Sequence, residues 1–249
     1  MSGRPSPSLI AEEVARFDAL GDRWWDADGP MAPLHRLNPV RVGWARDVIV
    51  RHFKLEAPQG APLAGVGLID IGCGAGLFAE PLARLGAEVI GVDPSPASID
   101  VARRHAEETG ARLAYRMGTV EELAAEERRF AVVSAMEVIE HAADPKRFVA
   151  SAASLVRPGG LFLASTLNRT LISFALAIVG AEYVLRWLEP GTHHWEQFVT
   201  PIELTGFARE AGLRRLSLRG AVYDPFRASW RLSSDLGVNY LFAATKPRP

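Results

Sequence analysis

The chain has 249 residues, 48% of them hydrophobic, and its 28 Lys and Arg nearly balance its 29 Asp and Glu. This length suits one α/β domain, and a net charge of −1 gives no global reason to bind nucleic acid. A single cysteine excludes an internal disulfide framework and a multi-cysteine zinc site, and the first eight residues lack the apolar stretch of a secretory signal. We therefore expect an intracellular protein.

Two helices are predicted ahead of any strand. Apolar residues recur at helical spacing over residues 8–20, which predicts a first helix there. Asn38-Pro39 combines an N-capping side chain with a first-turn proline, which predicts a second helix that begins at this point and ends near Phe53. We expect residues 1–55 to form an N-terminal helical cap.

Short apolar runs then alternate with helical stretches. Seven runs are predicted to be strands: 67–71, 88–92, 113–116, 130–135, 161–165, 213–218 and 238–244. Strands that alternate with helices form a mostly parallel sheet with helices on both faces. The prediction is a Rossmann-like α/β fold in a single domain over 1–249, with a cofactor-binding core over 66–167, a helical insertion over 168–199 and the rest of the sheet over 200–249.

A glycine-rich turn follows the first predicted strand. Gly72, Gly74 and Gly76 stand between that strand and a helix, where glycines allow a tight bend and close approach of the backbone to a ligand. A dinucleotide fingerprint would place glycine at position 77, which is Leu77. The observed spacing is more typical of S-adenosylmethionine sites, and we expect Gly72 and Gly74 to contact that cofactor.

Two further residues at strand ends are candidates for cofactor binding. Asp93 ends the second strand about 20 residues beyond the first glycine, where a carboxylate can accept both hydroxyls of a ribose. Met136 ends the fourth strand, and its thioether can pack against an adenine ring. Parallel strands place ligands outside their carboxyl ends, so both residues should face one crevice.

An acidic motif comes directly after Met136. On an α-helix Glu137, Glu140 and His141 would share one face, where they could hold a divalent ion or supply a general base. Hard carboxylates favour Mg²⁺, although an imidazole ligand also suits Mn²⁺, Co²⁺ or Zn²⁺. The structural alternative is a helix start with dipole-favoured acids and a hydrogen-bonded histidine.

Within the insertion, twelve uncharged and mostly apolar residues, 170–181, lie between Arg169 and Glu182. As a helix they would cover about 18 Å, against about 30 Å for the hydrocarbon core of a bilayer. The segment is too short to span a membrane. It is predicted to be either a buried lid or an interfacial helix that binds the membrane surface through residues 170–188.

Several strings resemble a known family. Asp70-Ile-Gly-Cys-Gly-Ala-Gly76 and Asp93 resemble class I S-adenosylmethionine-dependent methyltransferases. A narrower resemblance, to the bacterial O-methyltransferases of ubiquinone biosynthesis, is carried by these strings: Arg23-Trp-Trp-Asp26, Pro33-Leu-His-Arg-Leu-Asn-Pro39, Met136-Glu-Val-Ile-Glu-His141, Ser165-Thr-Leu-Asn-Arg169, Val179-Gly-Ala-Glu-Tyr183 and Gly191-Thr-His193. The chain departs from the usual pattern at His194 and over 220–237.

The resemblance implies an activity, ligands and partners. It implies methylation of catechol-type hydroxyls on polyprenylated precursors at two steps, with the cofactor on Arg41, Gly72, Asp93 and Met136. It also implies a divalent cation on Glu137, Glu140 and His141, with Glu137 and His141 as catalytic residues. Other ubiquinone-biosynthesis proteins are possible partners, and the expected location is the cytoplasm, peripherally at the inner membrane.

Three alternatives stand beside this interpretation. The chain could be a soluble small-molecule methyltransferase whose insertion is only a lid, or an inactive cofactor-binding scaffold. A nicotinamide-dependent oxidoreductase is the third, and Leu77 counts against it.

Overall fold

The computed structural model describes residues 11–56, 60–174, 195–224, 227 and 229–248. Within these residues eight strands form one sheet. They are β1 (Gly67–Ile71), β2 (Glu88–Asp93), β3 (Ala114–Met117), β4 (Phe130–Met136), β5 (Val156–Leu167), β6 (Arg214–Asp224), β7 (Ser229–Ser233) and β8 (Asn239–Thr245). The helices are α1 (Ala11–Asp18), α2 (Ala32–Phe53), α3 (Ala79–Arg84), α4 (Pro96–Thr109), α5 (Val120–Ala125), α6 (Pro145–Ser154), α7 (Leu171–Ser173) and α8 (Pro201–Glu210).

The strand order is β3-β2-β1-β4-β5-β8-β6-β7. The first five strands are parallel to one another, and β8 runs antiparallel to both β5 and β6. The carboxyl ends of β1 to β6 therefore lie at one edge of the sheet, where β7 and β8 begin. This arrangement confirms the predicted Rossmann-like, mostly parallel sheet.

The sheet has one strand more than the seven predicted. The additional strand, β7, pairs antiparallel with β6 and lies at the edge of the sheet. Its five residues are exposed or half-buried, so the sequence offers no buried apolar run to mark it. β6 also extends to Asp224, six residues beyond the predicted end.

Helices cover both faces of the sheet, as expected. Helices α2, α3 and α4 pack on one face, where Leu68 belongs to the same buried cluster as Ile49 and Leu82. Helices α5, α6 and α8 pack on the other, where Ile69 belongs to a second cluster with Phe148. Adjacent strand residues point to opposite faces, so the consecutive apolar residues of β1 serve both cores.

The predicted start of the second helix is wrong. Helix α2 begins at Ala32 with Pro33 in its first turn, and Pro39 lies inside it. Asn38 therefore does not cap a helix. Its side-chain amide instead donates to the carbonyl of Leu77, 2.6 Å away, in the glycine-rich turn. A tertiary hydrogen bond thus uses the polar side chain that a local cap would have used.

Most of the predicted insertion, 168–199, lies outside the described residues, which resume at Trp195. Its first turn is described: Thr170 caps α7 by accepting the N–H of Ser173 at 3.0 Å. Among the described helices, none combines the length and apolar character needed to cross a bilayer.

Candidate active site

A cavity of about 930 Å³ lies at the carboxyl edge of the sheet. The loops after β1 to β4 form one end of it, and α1, α2 and the segment between them contribute to its wall. All eight residues predicted for the site line this cavity: Arg41, Gly72, Gly74, Asp93, Met136, Glu137, Glu140 and His141. The topology thus brings together residues that are up to 100 positions apart in the sequence.

The glycine-rich turn has no room for side chains. Gly72 has φ +67°, and a Cβ added there would lie 2.5 Å from Cγ2 of Val138, in the loop after β4. Gly74 has φ +52°, and its added Cβ would lie 2.6 Å from Cη2 of Trp24. Both positions require glycine, for backbone conformation and for space.

Asp93 stabilises this turn by hydrogen bonds and also lines the cavity. One carboxylate oxygen accepts the N–H of Gly74 and the other accepts the N–H of Ser95, each at 2.9 Å. Each oxygen has a second acceptor site, so the carboxylate can also accept ribose hydroxyls. Burial raises the pKa of Asp93 to about 6, against the opposing effect of the two N–H donors.

Arg41 is a buried cation in the cavity wall. The side chain is 3% exposed, one guanidinium N–H₂ group donates to Asn38 at 3.0 Å, and its Nε has no hydrogen-bond partner. Burial lowers the pKa of Arg41, while the negative charges of Glu137, Asp70 and Glu140 act against that shift. The guanidinium can therefore bind a carboxylate, such as that of an amino-acid ligand.

Asp70 was not predicted as a site residue, yet its carboxylate lies in the cavity wall. It accepts a hydrogen bond from the hydroxyl of Ser134 at 2.7 Å. Burial raises the pKa of Asp70 to about 7, against the opposing effects of Ser134 and Arg41. A substantial fraction of Asp70 is therefore protonated at neutral pH.

The acidic motif is not an α-helix, so the prediction that its three side chains share one helical face is wrong. Glu137 has φ +56°, and its N–H donates to the carbonyl of Ser165 at 2.9 Å. Only residues Ile139–His141 are helical there, as one 3₁₀ turn. The left-handed backbone at Glu137 breaks the helical spacing from which the shared face was inferred.

These side chains do not form a metal-ligand cluster in this conformation. Glu140 accepts a hydrogen bond from Thr166 at 2.7 Å, and one oxygen of Glu137 is buried without a hydrogen-bond partner. Over the described ranges, no three His, Cys, Asp or Glu side chains are placed to hold a metal ion. The residues present therefore do not fit the predicted cation as a preformed site.

Aromatic residues of the N-terminal cap pack over the site. Phe17 of α1 stacks on Trp24 with ring centroids 5.8 Å apart, and it meets the His141 ring edge-on at 5.5 Å. Trp25 stacks on His105 at 3.4 Å and donates to the carbonyl of Ala75 at 3.1 Å. The N-terminal cap thus packs on the cofactor end and also contributes cavity lining.

Sequence reasoning missed several lining residues. Gly118, Thr119 and Val120 follow β3, and the strand-end rule that found Asp93 could have found them. Tyr223 and Trp230 belong to the β6–β7 hairpin and also line the cavity. No motif marks this pair, because their pairing depends on a strand that the sequence pattern does not reveal.

Known proteins resemble this chain in sequence and in fold. A family model described as a methyltransferase domain matches residues 45–218. In structure, the chain is similar to the magnesium protoporphyrin IX methyltransferase of Synechocystis with bound S-adenosylmethionine, at a TM-score of 0.62 and 15% identity, covering 97% of this chain and 100% of that one. Fold and cavity together define an S-adenosylmethionine-dependent methyltransferase.

Relatives with high sequence identity show which methyltransferase family the chain belongs to. The chain is 56% identical to the ubiquinone biosynthesis O-methyltransferase of Azorhizobium caulinodans, over 96% of this chain and 94% of that protein. It is 53% identical to the protein of the same name in Methylobacterium nodulans, over 99% of both. The chain belongs to the ubiquinone biosynthesis O-methyltransferase family.

Proposed function

We propose that this protein transfers the methyl group of S-adenosylmethionine to catechol-type hydroxyls of polyprenylated ubiquinone precursors. It would act at two steps, on a 2-polyprenyl-6-hydroxyphenol and on a 3-demethylubiquinol. The observation that carries the proposal is that one cavity is lined by Asp93, the glycine-rich turn, His141 and apolar residues of the later strands. The family relationship supports the choice of acceptor.

At the cofactor end, each proposed contact uses a group described above. Asp93 accepts the ribose hydroxyls, and Arg41 binds the carboxylate of the methionine part. Gly72 and Gly74 let the backbone approach the ligand, while buried Met136 packs against the adenine ring. When bound, the cofactor supplies an electrophilic methyl group on a sulfonium.

At the acceptor end, a base is needed because a phenol has a pKa of about 10. We assign that role to His141, which takes the hydroxyl proton as the oxygen forms its bond to the methyl carbon and the bond from carbon to sulfur breaks. Glu137 lies in the same wall, where its carboxylate can stabilise the imidazolium that results. Phe17 packs on His141 and helps to exclude water.

The divalent cation, with Mg²⁺ favoured, stays a prediction. Its support is the presence of two cavity carboxylates, one of which, Glu137, has a buried oxygen without a hydrogen-bond partner. Assembly of the predicted ligand set would require Glu140 to leave Thr166. We therefore assign no step of the reaction to a cation.

We also propose that residues 170–188 bind the inner-membrane surface, with the protein otherwise in the cytoplasm. In the described part, Leu171, Ile172 and Phe174 are 79%, 59% and 42% exposed. Arg169 forms an ion pair with Glu203, so its charge is partly engaged within the protein. Contact with other ubiquinone-biosynthesis proteins stays a prediction.

A methyl-transfer assay tests the proposed function. The acceptor is a catechol with a short prenyl chain, and the methyl group of the cofactor is tritiated. We expect label in the product from the wild-type protein and loss of most turnover in His141→Ala, with cofactor affinity retained. Cofactor binding without transfer to any catechol would indicate the inactive scaffold, and transfer only to acceptors without a prenyl chain would indicate a general small-molecule methyltransferase.

A further inference from the structure

The far end of the cavity has an aromatic wall that the proposed chemistry does not use. Tyr223 of β6 and Trp230 of β7 are directly paired across the two antiparallel strands, with ring centroids 5.6 Å apart and planes at 58°. Both line the cavity and both are half-buried. The strand that carries Trp230 is the one that the sequence pattern does not predict.

This pair lies far from the reacting atoms along the sheet. β7 is four strands from β4, and neighbouring strands lie about 4.8 Å apart, which gives roughly 19 Å between the two strands. The acceptor hydroxyl must lie within about 3.5 Å of the methyl carbon, beside the loop after β4. In strand order the hairpin lies at the edge of the sheet beyond β4, β5 and β8, so a chain attached to the acceptor ring is the part of the substrate that extends toward it.

The lining between these two places suits an apolar chain. Leu167 at the end of β5, Val222 of β6 and Val238 before β8 line this part of the cavity. Ile172 also lines it and is 59% exposed, so the cavity opens to solvent beside α7. Asp235 stands in the same wall, but it is exposed and its carboxylate accepts the N–H of Gly237 at 2.8 Å.

We propose that Tyr223 and Trp230 are specificity-determining residues that bind the isoprenoid tail of the acceptor. The proposal rests on the proposed function, because it names the part of that substrate which the hairpin contacts. Flat aromatic faces offer a large, rigid apolar surface to the methyl-branched units of such a tail. Helix α2 packs against β7, so this wall is held in place by the N-terminal cap.

The test compares two acceptors that share a head group. Steady-state kinetics are measured on a catechol with a farnesyl chain and on the same catechol without it, for the wild type, Tyr223→Ala and Trp230→Ala. We expect KM for the prenylated acceptor to rise about tenfold in each variant, since tenfold corresponds to about 1.4 kcal/mol of lost contact. For the acceptor without a chain, KM should change less than about twofold, and kcat should hold on both.

Two control variants separate tail binding from a structural effect. Leu232→Ala removes an apolar side chain from the same strand but outside the cavity lining, and it should leave both acceptors unchanged. Trp230→Phe keeps an aromatic face, so it should retain most of the affinity for the prenylated acceptor that Trp230→Ala loses. Equal losses on both acceptors, or no loss on the prenylated one, would overturn the proposal.

Direct binding of a tail analogue tests the tail site without requiring methyl transfer. Farnesol carries the tail without a reacting head group, and its binding to the intact protein is measured by calorimetry. Wild-type binding that is weakened in Trp230→Ala supports a tail site even if no catechol is methylated. If catechols are methylated but farnesol binds equally to both proteins, the tail site is refuted while the proposed function stands.

Discussion

The ring of Trp24 lies against Gly74, close enough that a Cβ added at position 74 would be 2.6 Å from its Cη2 atom. Trp24, a residue of the N-terminal cap, therefore leaves no room for a side chain at position 74 of the cofactor-binding turn. Asp93 stabilises the same turn, because its carboxylate accepts the N–H of Gly74 at 2.9 Å. The turn is thus fixed between an aromatic ring and a carboxylate, and its shape depends on both.

Gly74→Ala should weaken cofactor binding because the new methyl group must displace either Trp24 or the turn. A non-glycine residue at φ +52° adds about 1–3 kcal/mol of backbone strain. We expect at least a tenfold loss of S-adenosylmethionine affinity by calorimetry. Gly43→Ala is the matched control, since Gly43 lies in α2 with open space around it, and it should leave affinity unchanged. Unchanged affinity in Gly74→Ala would contradict the packing described here.

The sequence predicts the cofactor end well because strand ends and glycines are local signals. Asp93, Met136 and the glycine-rich turn each follow an apolar strand, and the parallel sheet brings such positions to one edge. Helix caps whose partners lie within four residues are also encoded locally. In the structure Ser95, Asp144 and Thr200 each accept an N–H three residues ahead, and each stands directly before a first-turn proline.

The failures come from interactions over long sequence distances. The side-chain amide of Asn38 donates to the carbonyl of Leu77, 39 positions away, and Asn38 does not begin a helix as its position before Pro39 suggests. The left-handed backbone at Glu137 accompanies a hydrogen bond to Ser165, which the sequence of the motif does not encode. A period-based prediction assumes a regular backbone, and tertiary contacts remove that regularity at the site.

Asp93→Asn should weaken cofactor binding by about 1.5–3 kcal/mol, the scale for losing hydrogen bonds to a charged group. The pKa of about 6 adds a pH dependence: the carboxylate is ionised above that value, so wild-type affinity should fall as the pH is lowered through 6. The Asn variant should lack this component in titration calorimetry. Asp100→Asn, on α4 outside the cavity, should behave as the wild type. The same pH profile in Asp93→Asn and wild type would refute the ribose assignment.

Asp70→Asn should change how stability depends on pH. The pKa of Asp70 is about 7 in the folded protein, above the ordinary value of 3.8 for an aspartate, so the folded state binds the proton more tightly than the unfolded state. The contribution of Asp70 to wild-type stability should therefore fall as the pH rises from about 4 to 7. The Asn variant has no charge to bury, and its free energy of unfolding relative to wild type should improve between pH 5 and pH 8 by a few kcal/mol. Denaturant titrations at both pH values measure this, and a constant difference would contradict it.

Removal of divalent ions tests whether turnover requires the predicted cation, for which the described residues form no preformed site. If Glu137 and Glu140 recruit a cation during the reaction, exhaustive chelation lowers turnover and Mg²⁺ restores it, while S-adenosylmethionine affinity is unchanged because its proposed contacts do not involve a cation. Glu137→Gln should then lose the Mg²⁺ response. Full activity after chelation would assign the two carboxylates a protein-only role and leave His141 as base without a cation.

The exposed apolar turn at α7 makes a prediction about membranes. Leu171, Ile172 and Phe174 are exposed, and Ile172 also lines the cavity. An enzyme that acts on a membrane-held tail must reach the lipid interface. The protein should sediment with anionic liposomes, less so at high salt, and Phe174→Asp should reduce the bound fraction. Ile202→Asp is the matched control, because Ile202 is 84% exposed on α8, and it should bind as the wild type does. A buried lid predicts instead that Phe174→Asp lowers stability and reduces activity equally on acceptors with and without a tail. That outcome, together with no liposome binding by the wild-type protein, would refute membrane contact at this turn.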